Sequence, residues 1–393
     1  MAGEWLLGAE THDSTDERPR AMLVAVAPDG PASEGDPGTE TSLRELRRLA
    51  DTDRLTVVGT LVQNRDRPDP ATYVGLGKAG ELAAAVERCA ADLVIADGEL
   101  SPGQARNLRD RVGVPVVDRT ALILDIFAEH ARTSEGRLQV QLAQIAYELP
   151  RLRGAGRSMS RVGGGRMVGG VGMGVRGPGE MRLEIQRRRL RRRAAGLRER
   201  AAEIGVRRAR TQRRRTRNQV PSVAVTGYTN AGKSTLLNRL TGADAPSEDV
   251  LFATLDPMVR RVTAGGVTFT VADTVGFVRN LPHQLVDAFR STLEEVTRAD
   301  LALHVVDASA PDALSQIATV RGVLQEIGAE DVPELMVLNK IDVATQESVD
   351  TLRRTYPDAL PVSALTGAGV TDLREALARR LRAAPLKGMS THD

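Results

Sequence analysis

Residues 227–234 read Gly-Tyr-Thr-Asn-Ala-Gly-Lys-Ser, the full G-x-x-x-x-G-K-S spacing, and they follow the apolar run Val220 to Thr226. Few eight-residue strings constrain a fold so tightly, because the pattern works only at the junction of a buried strand and the first turn of a helix. Glycines let consecutive backbone N–H groups curl around phosphate oxygens. The helix starting near Lys233 then aims the positive end of its dipole at the same oxygens. Lys233 is expected to reach the β and γ phosphates and Ser234 to offer its hydroxyl to Mg²⁺. The nucleotide contacts of this segment are assigned to Gly227, Tyr228, Thr229, Asn230, Ala231, Gly232, Lys233, Ser234 and Thr235.

Three further elements stand downstream in the order such a site needs. Asp273-Thr274-Val275-Gly276 follows the strand-like run Val267 to Ala272. Its carboxylate is placed to hold Mg²⁺ through water, and the Gly276 N–H to sense the γ-phosphate. Asn339-Lys340-Ile341-Asp342 follows Leu335 to Leu338. Asp342 can accept both N1–H and the exocyclic amine of guanine, whereas adenine would leave that carboxylate unpaired, so the base is expected to be guanine. Asn339 and Lys340 are expected to brace the base and the phosphate loop. Ser363-Ala364-Leu365 follows a short strand and can offer a backbone N–H to the base oxygen. The predicted ligands are therefore GTP and GDP, with Mg²⁺ as cofactor.

Between the first two elements lies Leu251-Phe252-Ala253-Thr254-Leu255-Asp256-Pro257. Thr254 is the expected switch residue, giving Mg²⁺ its hydroxyl and the γ-phosphate its N–H only in the GTP state. Phe252, Ala253, Leu255 and Asp256 are placed beside the nucleotide with it. Lys233, Thr254 and Gly276 form the expected catalytic set. Phe277 follows Gly276, where Ras-like enzymes carry a glutamine that orients the attacking water. A phenyl ring cannot do so, and slow intrinsic hydrolysis is expected, rising when a partner orders the switches. Asn230 has two readings: a ligand-side residue of a K⁺ ion near the transferring phosphate, or a loop cap.

The rest of the chain falls into two further regions. After an acidic start through residue 20, Met22–Ala27, Thr56–Gln63, Leu93–Ala96 and Pro115–Asp118 read as strands. Leu43–Ala50, Gly80–Ala91, Pro102–Val112 and Ala121–Ala131 read as helices. Alternating strands and helices predict a parallel-sheet α/β domain over 21–131. No catalytic constellation is visible in it, and Gly75-Leu-Gly-Lys-Ala-Gly80 reads as a glycine-rich turn before a helix.

Over 132–217 the period changes. Leu138, Leu142, Ile145, Leu149 and Leu152 make one helical stripe, and Leu183, Leu190, Leu197 and Ile204 recur every seventh residue with Ala194 and Ala201 between them. An antiparallel helical hairpin joined by the glycine-rich loop 154–179 is the economical structure. A G domain is expected over 220–385, with a short tail over 386–393.

Charge is divided as sharply as period. Residues 151–217 hold 22 Arg, no Lys and four Glu, a net of +18, so the whole chain's +3 leaves −15 for everything else. Between Ile185 and Arg217 only Glu199 and Glu203 are acidic, so i,i+4 pairing cannot neutralise the run. Arg157, Arg161, Arg166 and Arg176 in the loop, with Arg187, Arg188, Arg191 and Arg192 on the helix, are the expected RNA contacts. Only 3% of residues are aromatic, so phosphate and shape rather than base stacking should carry binding.

Other classes are excluded or left without support. One cysteine, Cys89, rules out an internal disulfide or a cysteine-rich zinc site, and it reads as a buried inert thiol. No stretch is apolar enough to cross a bilayer, and acidic residues stand where a signal peptide would be basic. A cytoplasmic monomer, with no DNA partner and no membrane insertion, is expected.

On these residues the chain resembles the HflX family, ribosome-associated GTPases of the translation-factor-related class. The resemblance covers most of the chain. It includes His130-Ala-Arg-Thr133, Gln139-Val-Gln-Leu-Ala-Gln144, the loop ending Arg176-Gly-Pro-Gly-Glu180, Leu251 to Pro257 and Asp273 to Val278. It implies binding to the large ribosomal subunit, with the N-terminal and helical regions directed at ribosomal RNA near the peptidyl-transferase centre. It further implies splitting or rescue of stalled ribosomes under stress and GTPase stimulation by the ribosome. The chain departs from the family at Glu180-Met-Arg-Leu-Glu184, where Glu-Thr-Gln-Leu-Glu is usual, and at Met258, where threonine is common. The end at Asp393 is expected to leave little room for a further C-terminal domain. A GTP-switched RNA-modification or assembly enzyme, and an RNA-binding module with little turnover, are the competing readings.

Overall fold

The computed structural model describes residues 18–28, 38–152, 178–217, 220–242, 251–252, 258–279 and 290–383, which form two compact units. One holds residues up to 129 together with 138–202; the other holds 130–137 and 203 onward.

In the first unit, strands β1 (Arg20–Ala27), β2 (Thr56–Asn64), β3 (Leu93–Ala96) and β4 (Val116–Asp118) form a parallel sheet in the order β2-β1-β3-β4. Alternation along β1 explains its two covered faces. Met22 and Val24 join the core made with α2 (Leu76–Arg88) and α3 (Pro102–Val112), while the intervening Leu23 is equally buried. Helix α1 (Gly38–Thr52) buries Leu43, Leu46, Leu49 and Ala50 at helical spacing. Helix α2 begins four residues before the expected Gly80, with Gly75 as its N-cap, so the glycine run is the helix's first turn rather than a turn preceding it. Cys89 caps α2 and is half-buried, not buried as expected.

Buried charge fixes the next helices. Arg119, 2% exposed at the start of α4 (Arg119–His130), pairs with Glu45 at 2.7 Å and Asp97 at 2.9 Å. Asp118 accepts from Leu100 N, Ala121 N, the Tyr147 hydroxyl and Arg151, whose side chains project from α5 (Ser134–Arg151). A buried carboxylate with four donors is fully satisfied, so it can dock one element on another without stranding a charge. Helix α6 (Pro178–Arg217) runs 40 residues and packs Leu190, Ala194 and Leu197 against Leu138, Leu142, Ile145 and Leu149 of α5. The loop arginines Arg157, Arg161, Arg166 and Arg176 lie outside the described residues.

The second unit carries a six-stranded sheet in the order β10-β9-β8-β5-β7-β6. Its strands are β5 (Ser222–Gly227), β6 (Val259–Ala264), β7 (Val267–Asp273), β8 (Leu301–Asp307), β9 (Glu334–Asn339) and β10 (Leu360–Pro361). Among the described residues of this sheet, only the β6–β7 pairing is antiparallel. Parallel strands covered on both faces read as continuous apolar runs, which is why Val223 to Val225 and Leu301 to Leu303 are so hydrophobic. One core forms with α7 (Lys233–Thr241) and α10 (Val370–Ala383), a second with α8 (Ala313–Glu326) and α9 (Gln346–Thr355). From β5 the chain passes to β6 and β7 on one side and later to β8, β9 and β10 on the other. The end of β5 is therefore a topological switch point, where open α/β sheets bind ligands.

Candidate nucleotide site

Strand β5 delivers Gly227 to that switch point, and Gly232, in the left-handed region at φ 87°, starts helix α7. A side chain at Gly232 would collide with the Asn339 amide, so glycine is needed there for both conformation and space. Asn230 also lies left-handed, at φ 60°, which suits asparagine under either of its readings.

Lys233 is buried, and its Nζ donates to the Tyr228 carbonyl at 2.8 Å. Burial lowers its pKa to about 8; Asp273 opposes the shift and Lys340 adds to it. The Ser234 hydroxyl donates to Asp273 Oδ2 at 2.7 Å, so two hard oxygen ligands, one from the first turn of α7 and one from the end of β7, converge beside the phosphate loop. Thr274 turns away from them, donating to Val225 O at 2.6 Å. A Cβ on Gly276 would stand 2.9 Å from Lys233 Nζ and 2.8 Å from Thr229 Cγ2, so only glycine lets this backbone lie on the phosphate loop. The two segments are joined by Phe277 N to Gly227 O at 3.1 Å and Thr229 N to Phe277 O at 2.7 Å. Val275 is buried beside them, and the Phe277 ring is 1% exposed, turned into the protein interior.

The base end is assembled by Asn339. Its Nδ2 donates to Ala231 O at 2.8 Å and its Oδ1 accepts from Ala364 N at 2.9 Å, tying the phosphate loop to the Ser363-Ala364-Leu365 turn. Lys340 is left-handed at φ 62° and pairs with Asp307 at 2.7 Å. Ile341 is half-buried, Asp342 exposed, Ser363 buried and Leu365 70% exposed. Thr235 sits half-buried in the first turn of α7. Leu251 and Phe252 are buried; Ala253, Thr254, Leu255 and Asp256 lie outside the described residues. On α6, Arg188, Arg191 and Arg192 are exposed and Arg187 is half-buried.

Sequence reasoning missed three contributors, Arg239, Arg279 and Asp312. Arg239 donates to Ala364 O at 3.1 Å and to Leu365 O. Arg279 N donates to the Tyr228 hydroxyl at 2.8 Å, and its guanidinium pairs with Asp312 at 2.6 Å. No motif spacing marks these residues, because each partner comes from a different element.

Three family models match in chain order: "GTP-binding GTPase N-terminal" over 40–128, "GTP-binding GTPase Middle Region" over 130–217 and "50S ribosome-binding GTPase" over 222–340. A GTPase HflX from Caldanaerobacter subterraneus subsp. tengcongensis is 48% identical over 366 residues, covering 93% of this chain and 81% of the relative. The chain belongs to the HflX GTPase family. The Escherichia coli HflX is 44% identical over 342 residues, covering 86% of this chain and 79% of its own. A GTP-binding protein from Sulfolobus solfataricus, solved with GDP, aligns over 93% of this chain and 99% of its own at 24% identity, with a TM-score of 0.45. As an HflX GTPase the chain hydrolyses GTP, and the phosphate loop, Asp273-Thr-Val-Gly276 and Asn339-Lys-Ile-Asp342 meet at one end of one sheet.

Proposed function

We propose that this GTPase acts on the large ribosomal subunit, using GTP to favour the subunit-bound form and hydrolysis to release it, and so dissociates or rescues stalled ribosomes under stress in the cytoplasm. The observation that carries the ribosome reading is α6: a 40-residue helix on which Arg188 pairs with Glu184 at 3.3 Å, while the exposed Arg191 and Arg192 lie in an arginine run whose next acidic residues are only Glu199 and Glu203. The description of the matched G-domain family as a 50S ribosome-binding GTPase supports the same partner. Ribosomal RNA offers what such a helix lacks, a dense row of phosphates.

At the nucleotide, Asp342 reads guanine, Leu365 covers it, and the phosphate loop with Lys233 grips the phosphates. The Ser234 hydroxyl and the Asp273 carboxylate, 2.7 Å apart, suit a hard divalent cation: Ser234 would hold Mg²⁺ directly and Asp273 through water, with Thr254 as the switch ligand that the motif order supplies. Bound there, it would neutralise charge on the β- and γ-phosphate oxygens. With Phe277 buried, no side chain at that position can orient water, so hydrolysis is slow alone and rises on the ribosome. Asn230 supports a K⁺ ion near the transferring phosphate as well as it supports a loop cap. The same phenylalanine favours a second reading, a GTP-regulated RNA-binding or assembly factor with little turnover.

Ribosome profiles on sucrose gradients separate the two. Full-length protein with a slowly hydrolysed GTP analogue should convert 70S particles to subunits and co-migrate with the large one. Lys233→Ala should do neither. Intact 70S particles with the protein bound would support the second reading; nucleotide-dependent subunit binding by Lys233→Ala would remove the phosphate site from the argument.

A further inference from the structure

The turn after β10 is folded on its own backbone. Ser363 N donates to Ala368 O at 2.9 Å, Thr366 N to Ser363 Oγ at 3.0 Å, Gly367 N to Ser363 O at 2.8 Å and Ala368 N to Thr366 Oγ1 at 3.4 Å. Ala364 N is taken by Asn339 Oδ1 at 2.9 Å. Among the described residues, Leu365 N–H is the one N–H from Ser363 to Ala368 that finds no acceptor.

The other edge of its peptide is held from helix α7. Arg239, in the last turn of α7, directs Nε at Ala364 O (3.1 Å) and a terminal nitrogen at Leu365 O. The Ala364–Leu365 peptide is trans, so its N–H points away from the carbonyl that Arg239 grips. Fixing the carbonyl therefore fixes where the N–H points, and a cationic donor on the carbonyl polarises the peptide so that the N–H becomes a better donor. A planar guanidinium can hold two successive carbonyls at once; an ammonium is a point donor.

We propose that Arg239 is a positioning residue for guanine recognition: by clamping the carbonyls of Ala364 and Leu365, it presents the Leu365 N–H to the base oxygen O6. This rests on the guanine-site reading above, in which Asp342 accepts from the base's N1–H and 2-amine. The two residues thus read different edges of the purine. Arg239 acts through atom 6, Asp342 through atoms 1 and 2.

The test uses full-length protein with Mg²⁺ and three probes: GDP, IDP (no 2-amine) and 6-thio-GDP (sulfur for O6, a weak acceptor). Arg239→Ala should weaken GDP roughly five- to ten-fold, the effect of one ordinary hydrogen bond, that from the Leu365 N–H to O6. It should bring the preference for GDP over 6-thio-GDP close to one while leaving the preference for GDP over IDP at the wild-type value. Asp342→Ala should do the converse, erasing the GDP over IDP preference. Arg239→Lys, with one contact restored, should fall between wild type and Arg239→Ala. Should Arg239→Ala fail to fold, Arg239→Gln carries the same measurement. If the 6-thio preference survives loss of Arg239 while Asp342→Ala abolishes the IDP preference, Arg239 has no part in reading O6. If neither variant changes either preference, the base site itself is misplaced.

Discussion

Lys233 shows how far a single residue can be tuned by burial. Enclosed beneath Gly276, its amine has the Tyr228 carbonyl for company and a pKa lowered from 10.5 to about 8, chiefly by burial. Between those two values the folded, nucleotide-free chain binds fewer protons at this site than the unfolded one. The burial penalty is therefore full below about pH 8 and is relieved as pH rises towards the unfolded value. Nucleotide phosphates reverse this, because an adjacent anion favours the charged ammonium and raises its pKa. GDP binding should accordingly take up protons above about pH 8, and affinity should fall with rising pH there. Calorimetric titration in two buffers of different ionisation enthalpy, below and above that pH, measures the uptake directly. Lys233→Met should show a weaker, flatter profile; wild-type binding without proton uptake above that pH would mean the lysine does not meet the phosphates.

Elements were legible where periodicity or a motif marks them, and less so where contacts span the chain. Leu93–Ala96 and Pro102–Val112 have the bounds expected from apolar run and N-terminal proline, and Ser101 closes a capping box with Gln104. Helix α1 begins at Gly38 rather than Leu43, because its first turn carries no apolar stripe and is instead supported by Glu40, paired with Arg44 at 3.3 Å. The role of Arg239 in tying α7 to a turn more than a hundred residues away could not be read at all, since nothing local distinguishes it from any surface arginine. The seven-residue repeat was more informative: Leu190, Ala194 and Leu197 do pack on α5, although Ile204 and Ala201 are only half-buried. Leu197, 6% exposed, sits with Ile145 and Ala194 in a small cluster completed by the partly buried Leu138, Leu142, Leu149 and Leu190. Leu197→Ala should cost about 2 kcal/mol, the low end for a buried leucine because a small cluster can relax around the cavity. A lowered melting midpoint by helical circular dichroism, with GDP affinity unchanged, is the expected result. An unshifted midpoint would mean that the seam contributes no stability.

At the scale of the whole molecule, the distribution of charge constrains the partner more than its total does. A chain of net +3 that concentrates +18 in residues 151–217 leaves −15 elsewhere, so a polyanion is attracted to one segment and repelled by the remainder. Such a contact is driven largely by counterions released from the nucleic acid, and its logarithm falls linearly with the logarithm of salt. Arg187, Arg188, Arg191 and Arg192 occupy consecutive turns of α6 and can be changed together to glutamine, which keeps helix propensity and length while removing charge. Binding to isolated large subunits, followed by sedimentation between about 50 and 200 mM KCl, should lose roughly three units of slope in the variant if all four meet phosphates. Because the substitutions lie on α6 and not at the phosphate loop, GDP affinity should not move with them. A variant whose slope matches wild type would turn this helix into a solvated face, and the attraction to RNA would have to come from elsewhere in the basic segment.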